Sequence, residues 1–380
     1  MSRRDLFQLL LLSAVWGASF ILIEITGRSF PPAWVALLRL SFGAAFLWSV
    51  LLLRRRTLPP RRLIVPLLLV ALFNNALPFC LFALGEQTVP SGIAAVLGTS
   101  AELVALVEST TRGCQVAMGG LGLGPEDEVV TSDQEHFGLL GPVHESGARV
   151  VVTEADEDAV LAAVTSRTRL IAVSHVLWTT GRRLDLRRLR RPDGPPLLVD
   201  GAQSAGAIPV ELTGADYYTV SAQKWLCGPD PSGALFVRDP ERLAVMLPSA
   251  FSPLSHEADG SFAPKEGARR FDSGWIGAPA LAGLEASLGV HPEWRYDSGA
   301  TAAARCRELL DPLAEIVTPP GHSTLVSFRP PGDPTELVAT LGECGVIVRE
   351  LPGHNLVRAS CGWWTNEDDL RRLVDGIGGV

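Results

Sequence analysis

Lysine is almost absent from this chain of 380 residues. Of thirty-three basic residues only Lys224 and Lys265 are lysines, and the rest are arginines. Arginine carries surface charge as well as lysine does, but only lysine offers a primary amine that can lose its proton and condense with a carbonyl. Paired cysteines are missing too. Cys80, Cys114, Cys227, Cys306, Cys344 and Cys361 are scattered, with no CxxC pair and no His/Cys cluster at metal spacing. That pattern predicts free thiols in a reducing compartment and no metal site. No basic excess exists either: the net charge is −8, which gives no reason to expect a nucleic-acid partner. Repeats and low-complexity stretches are lacking.

What is present divides sharply near residue 100. The first hundred residues are mostly Leu, Ala, Val and Phe, with apolar stretches from about Leu6 to Ile25, Ala33 to Leu53 and Leu63 to Leu84. Each approaches the ~20 residues that cross a bilayer. Arg3 and Arg4 precede the first stretch, and Arg54, Arg55, Arg56, Arg61 and Arg62 follow the second. By the positive-inside rule both groups face the cytoplasm. Three to four transmembrane helices are expected, with residues 6–97 in contact with lipid and the chain a multi-pass membrane protein. Glu24 and Arg39 lie in or near the spans, where ionisable groups mark either a polar pathway or snorkelling at a span end.

The segments Ala14-Val15-Trp16-Gly17-Ala18-Ser19-Phe20, Pro32-Ala33-Trp34-Val35-Ala36-Leu37-Leu38-Arg39 and Ala76-Leu77-Pro78-Phe79 resemble EamA-like members of the drug/metabolite transporter superfamily. Val89-Pro90-Ser91-Gly92-Ile93-Ala94-Ala95-Val96-Leu97 is similar to the start of that family's fourth helix. The resemblance implies a duplicated set of ten helices, of which only three and part of a fourth are present, so a pathway between two repeats cannot be assembled.

From about Val104 the pattern changes to short β-branched runs alternating with helical stretches, the signature of an α/β sheet. Strands are expected near 104–108, 128–132, 148–153, 169–175, 196–200, 216–221 and 233–238, and helices at 113–121, 155–164 and 202–206. Ligands of such sheets gather at the carboxyl ends of the strands. Ser109-Thr110-Thr111-Arg112-Gly113 follows the first strand and opens a helix, a place for a phosphate and equally for an ordinary N-cap. His136 follows the second strand. Asp200 ends the apolar run Pro196–Val199, where a buried carboxylate needs a cation or several donors. Lys224 lies in Ser221-Ala222-Gln223-Lys224, after the sixth strand.

Asp200-Gly201-Ala202-Gln203 and Ser221-Ala222-Gln223-Lys224, in this spacing, resemble the aminotransferase class V family of pyridoxal-phosphate (PLP) enzymes, which includes cysteine desulfurases, isopenicillin epimerases and C–S lyases. The resemblance covers about residues 100–380. It implies the PLP-dependent transferase fold of type I, a mostly parallel seven-stranded sheet plus a small α/β domain. It also implies that Lys224 forms a Schiff base with pyridoxal 5'-phosphate and moves the α-proton, that Asp200 pairs with the ring nitrogen, and that His136 stacks on the ring. Thr110, Thr111 and Ser221 would hold the phosphate, Gln203 would lie near the phenolic oxygen, and Gln223 would hydrogen-bond where the family usually has His. Arg358 would clamp the carboxylate of an amino-acid substrate. Arg270-Phe271-Asp272-Ser273-Gly274 resembles the loop that reaches a neighbouring subunit's phosphate, implying a homodimer.

Departures narrow the chemistry. Trp178 stands where desulfurases often carry Asn, and Arg349-Glu350-Leu351-Pro352-Gly353-His354-Asn355 lacks the reactive Cys of a persulfide-forming enzyme. Lysis of a C–S bond, racemisation and transamination remain open. Beyond Gly274, residues 278–316 are expected to be helical and to lead into strands near 323–329, 346–349 and 355–360 and a helix from Asn366 to Gly378.

The expected division is 1–99, a truncated EamA-like segment; 100–275, the PLP-binding large domain; and 276–380, a linker helix with the small domain. The halves conflict at their junction. With a cytoplasmic amino end, three crossings leave Gly85 outside, and the thirteen or so residues from Pro90 reach only about 20 Å as a helix, short of the ~30 Å hydrocarbon core. The leading reading is a PLP enzyme with its catalytic domain cytoplasmic. The alternatives are a transporter fragment and a non-functional chimera of two truncated genes; a stable full-length membrane enzyme would refute the latter.

Overall fold

An apolar run without interior proline favours helix, and the second apolar stretch forms one: α1 spans Pro32–Leu53, with proline at its first turn, where no N–H is needed. Its Phe42, Phe46, Leu52 and Leu53 are exposed. The computed structural model describes residues 32–54, 60–73, 89–90, 92–274 and 276–378, so the expected span at Leu6–Ile25 lies outside it. Of the third stretch, Ile64–Ala71 is helical as α2, and residues 74–84 lie outside the described residues. Among the described residues no helix is long and apolar enough to cross a membrane. The described residues therefore do not bear out the expected three to four transmembrane helices, and the first expected span and part of the third lie outside them.

The fourth expected span is corrected most clearly. Residues 92–97 are helical, but Val89, Ile93, Ala94 and Leu97 are buried, and Gly92 approaches Leu288 closely. The chain separates into two compact units, residues 1–87 with 277–282 and residues 88–276 with 283–380. The short helix belongs to the second. Its apolar side chains fill a protein core rather than face lipid.

Within the second unit the sheet follows from strands that are apolar on both faces, which must be covered on both faces. β1 (Val104–Val107), β2 (Glu128–Ser132), β4 (Thr168–Ser174), β5 (Leu197–Asp200), β6 (Tyr217–Ser221) and β7 (Gly233–Val237) are buried almost throughout. β3 (Arg149–Thr153) is the more exposed edge. The order is β1-β7-β6-β5-β4-β2-β3. All pairs are parallel except those of β7, which runs antiparallel to β6 and β1. The seven strands and their mostly parallel arrangement match the expectation. The carboxyl ends of β1, β2, β4, β5 and β6 consequently share one edge.

Helices α3 (Thr110–Gly120), α4 (Phe137–Glu145), α5 (Glu157–Ala162) and α6 (Leu186–Leu189) join these strands. Each has a side-chain cap: Ser109 accepts from Arg112 N, His136 from Gly138 N, Asp156 from Asp158 N and Ala159 N, and Asp185 from Arg187 N and Arg188 N. Residues 202–206 are not the expected helix. They form turns in which Ser204 N and Ala205 N donate to the Gly201 carbonyl, and Gly206 at φ +89° breaks the helical path.

A two-stranded hairpin, β8 (Pro253–His256) with β9 (Phe262–Pro264), was not foreseen. The expected helical stretch 278–316 is split into α7 (Ala278–Val290) and α8 (Arg295–Leu310), because Pro292 between them cannot donate to a helical ladder. The small sheet has the antiparallel order β10-β11-β13-β12, from β10 (Glu315–Ile316), β11 (Leu325–Arg329), β12 (Arg349–Leu351) and β13 (Leu356–Ser360). α8, α9 (Pro334–Glu343) and α10 (Glu367–Gly378) share a core with it through Cys306, Leu310, Phe328, Leu341, Val357 and Leu373.

Burial of Ile93 generates a prediction. Ile93→Ala removes fully buried methyl groups and is expected to cost about 2–5 kcal/mol, read as a lower melting temperature of the full-length chain. A span facing lipid would show almost no change.

Candidate active site

Five strand exits bring the candidate residues to one sheet edge. Asp200 ends β5, is 5% exposed and accepts from Ala202 N at 2.8 Å through Oδ1. Lys224 follows β6. Its side chain is open to solvent, yet enough protein surrounds it that desolvation lowers its pKa; the Asp200 carboxylate opposes that shift and Arg358 adds to it. Proton loss is thereby eased, as a nucleophilic amine requires.

Thr110 and Thr111 open α3, beyond β1, and Thr110 is buried. Thr111 Oγ1 lies 2.7 Å from where a Cβ on Gly138 would sit, so the first turns of α3 and α4 meet closely. His136 caps α4 with Nδ1, accepting from Gly138 N at 3.0 Å. An accepting Nδ1 leaves the proton of the neutral ring on Nε2. Desolvation lowers the His136 pKa, Lys224, Arg349 and Arg358 push the same way, and Asp200 opposes them.

Ser221 ends β6 and donates to Gln223 Oε1 at 3.0 Å. Gln203 Oε1 accepts from Trp225 Nε1 at 3.0 Å, which leaves only its amide N–H groups free to donate. Arg358, on β13, donates from Nη1 to the Trp178 carbonyl oxygen at 2.6 Å. Burial drives its pKa down to about 10, with Arg349 contributing. Its Nε has no hydrogen-bond partner, nor has the buried Trp178 indole N–H. The Trp178 ring lies edge-on to His136 at 5.4 Å and to His354 at 5.9 Å. Trp178 therefore joins the β4 exit to the segment between β12 and β13.

Arg270 is 6% exposed and committed within its own chain: Nε donates to the Lys265 carbonyl oxygen at 2.9 Å and Nη2 pairs with Glu241. Asp272 and Ser273 are tied to β1 through Leu106. The arginine of this loop thus finds a carboxylate within its own chain.

Glu135 and His175 were missed. Glu135 Oε1 accepts from Ser132 Oγ at 2.6 Å, and Oε2 from Ser174 N at 2.9 Å and from Ser174 Oγ at 2.5 Å. The carboxyl group thus staples the exits of β2 and β4. Desolvation raises its pKa to about 7, against the hydrogen bonds from Ser132 and Ser174 and with Asp200 adding to the rise. His175 Nδ1 meets Tyr218 Oη at 3.1 Å; desolvation lowers its pKa to about 4. The only sequence signal was polarity at a strand exit, which the neighbouring His136 carried more visibly.

The two groups pull stability in opposite directions with pH. A carboxyl group raised on folding contributes stability below its ordinary pKa that is lost as pH climbs through about 7. An imidazole lowered on folding contributes stability above its ordinary pKa that is lost as pH falls toward about 4. Glu135→Gln removes the first term. The melting temperature of the variant relative to the native chain is expected to rise between pH 5 and pH 8, by an amount worth roughly 3 kcal/mol. A constant difference would show that Glu135 does not titrate there.

The family model of aminotransferase class V matches residues 86–372, and that of the EamA-like transporter family matches residues 5–111. The chain is 28% identical over 335 residues to isopenicillin N epimerase of Streptomyces clavuligerus, covering 75% of this chain and 82% of that protein. It is 30% identical over 320 residues to kynureninase of Deinococcus radiodurans, covering 77% of each. The cystine C–S lyase C-DES, solved with its product cysteine persulfide, superposes with a TM-score of 0.70 at 27% identity, covering 76% of this chain and 84% of that one. Another structure of C-DES, a variant, holds glycine covalently linked to its PLP cofactor. The fold is that of type I PLP-dependent enzymes, the cofactor is pyridoxal 5'-phosphate, and the chain belongs to the aminotransferase class V family.

Proposed function

We propose that the chain acts on an α-amino acid, as a C–S lyase, aminotransferase or epimerase, with Lys224 as its catalytic amine. The observation that carries this reading is the state of Arg358. Its half-buried guanidinium forms no ion pair among the described residues, and its Nε lacks an acceptor. A partly desolvated cation without a counter-ion is costly, and a substrate carboxylate would offset the cost with a bidentate pair.

The residues present fit the cofactor. Lys224 offers an amine of lowered pKa, Asp200 a buried carboxylate for a ring N–H, and the amino end of α3 a place for a phosphate. When bound, the cofactor supplies an electron sink for the substrate's α-carbon. Asp200 would hold the proton of the ring nitrogen. His136 would cover one ring face. Thr110, Thr111 and Ser221 would take the phosphate, with Gln223 steadying Ser221. Gln203 would donate to the phenolic oxygen through its remaining N–H. Lys224 would move the α-proton, and Arg358 would fix the substrate carboxylate beside it.

The same reading assigns a large cofactor-binding domain through residue 275 and a small domain over 276–380. A start of the catalytic part at about residue 88 rather than 100 is part of the proposal, supported by the second compact unit. A homodimer is part of the proposal and rests on the resemblance of residues 270–274 alone. We also propose that the amino-terminal segment attaches the enzyme to a membrane, supported by the EamA-like match and the outward apolar side chains of α1. A transport activity is not part of the proposal.

Two measurements test this. The full-length chain purified with PLP is expected to be yellow, with an absorbance fixed by borohydride. Lys224→Ala should lose that fixation and slow turnover of amino acids on the order of 10³-fold. A colourless native protein would sink the enzyme reading. On cell fractionation the full-length chain is expected to stay with membranes through an alkaline carbonate wash; recovery in the supernatant would remove the membrane proposal and leave the enzyme untouched.

A further inference from the structure

Arg358 is not the only unpaired arginine at this rim. β12 and β13 run antiparallel, with Arg349 directly opposite Arg358. Directly opposed residues of neighbouring strands place their side chains on one face, with Cβ atoms about 4.5–5.5 Å apart, and like charges so placed repel. On the other side of β13, Arg358 faces Ser327 of β11, which carries no charge. Glu350 offers no relief, since alternate residues of a strand point to opposite faces. Among the described residues Arg349 forms no ion pair, although its side chain is exposed and free to seek one.

Arg358 is turned toward the candidate site, and Arg349 shares its face of the small sheet. Arg358 reaches Trp178 at the β4 exit, and the charge of Arg349 is felt by both Arg358 and His136. Both guanidinium groups and the amine of Lys224 thus act on His136, and Asp200 is the anion felt by Lys224 and His136. Asp200 is engaged below by Ala202. The buried Trp178 N–H on the same rim also lacks an acceptor. A single substrate carboxylate satisfies one guanidinium as a bidentate pair and leaves the second unmatched.

We infer that the substrate is an amino acid with a second anionic group on its side chain, a carboxylate or a sulfur or phosphorus oxyanion, and that Arg349 selects it. This rests on the assignment of Arg358 to the α-carboxylate. Arg349 is a specificity-determining residue in this scheme. It recognises the distal anion while Arg358 and Lys224 engage the groups on the α-carbon.

The test uses the full-length PLP-loaded protein and pairs of amino acids that differ only in the distal acid: L-glutamate with L-glutamine, L-aspartate with L-asparagine, and L-2-aminoadipate with L-norleucine. Binding is read from the visible absorbance of the bound cofactor. In at least one pair the acid is expected to bind about five- to tenfold more tightly than its neutral partner at low salt, and the ratio should shrink as salt rises. Arg349→Gln should bring the ratio to about one, Arg349→Lys should restore part of it, and Arg358→Gln should weaken both members of each pair. Equal binding of acid and neutral partner by the native protein overturns the inference while leaving the amino-acid reading intact. So does an Arg349→Gln variant that weakens both equally. If no amino acid perturbs the cofactor, or if Arg358→Gln changes neither member, the assignment of Arg358 fails and the selection by Arg349 fails with it.

Discussion

A sheet buried on both faces has nowhere to hold a charge except the ends of its strands, and the candidate site depends on that constraint. β5 is apolar until its last residue, Asp200. β6 is apolar and hydroxylic until Ser221, three residues before Lys224. Because these strands are adjacent and parallel, carboxylate and amine emerge at one edge. Desolvation lowers the pKa of Lys224 while the Asp200 carboxylate raises it, and the net shift is downward.

Beneath that pair lies a second polar layer that needs no cofactor to be satisfied. Glu135 binds Ser132 and Ser174, joining β2 to β4. Tyr218 Oη bridges His175 and Ser204, joining β6 to the exits of β4 and β5. Each buried polar atom that finds a partner removes a desolvation penalty. What stays unpaired at the cleft, the Arg358 Nε and the Trp178 N–H, therefore stands out against a floor whose groups are matched. A matched floor holds its shape, and an unmatched rim is left for a ligand to complete.

The amino-terminal region shows how one pattern supports two readings. Val89–Leu97 is apolar enough to continue a membrane segment, and residues 5–111 match a transporter family. Yet the class V match begins at residue 86, and Val89, Ile93, Ala94 and Leu97 are buried within the catalytic unit. Hydrophobicity alone does not distinguish lipid from protein as the apolar solvent. A neighbouring side chain such as Leu288 makes that choice, and it lies almost two hundred residues away along the chain.

The sequence by itself determined the strands of the large sheet, their mostly parallel order and the residues that face the carboxyl edge. Those features are local: β-branched runs of four to seven residues, a polar residue at each run's end, and a single lysine among them that follows a strand exit. Tertiary structure alone decided which polar residues lose water and which meet. Glu135 is shifted because the exits of β2 and β4 close over it. Arg270 meets Glu241, and Arg349 stands against Arg358 because two short strands pair in that register. Arg358 and Trp178 are 180 residues apart in sequence. The physical reason is common to all of these: a pKa, an unpaired donor or a like-charge contact belongs to a neighbourhood, and the neighbourhood exists only once distant segments have packed.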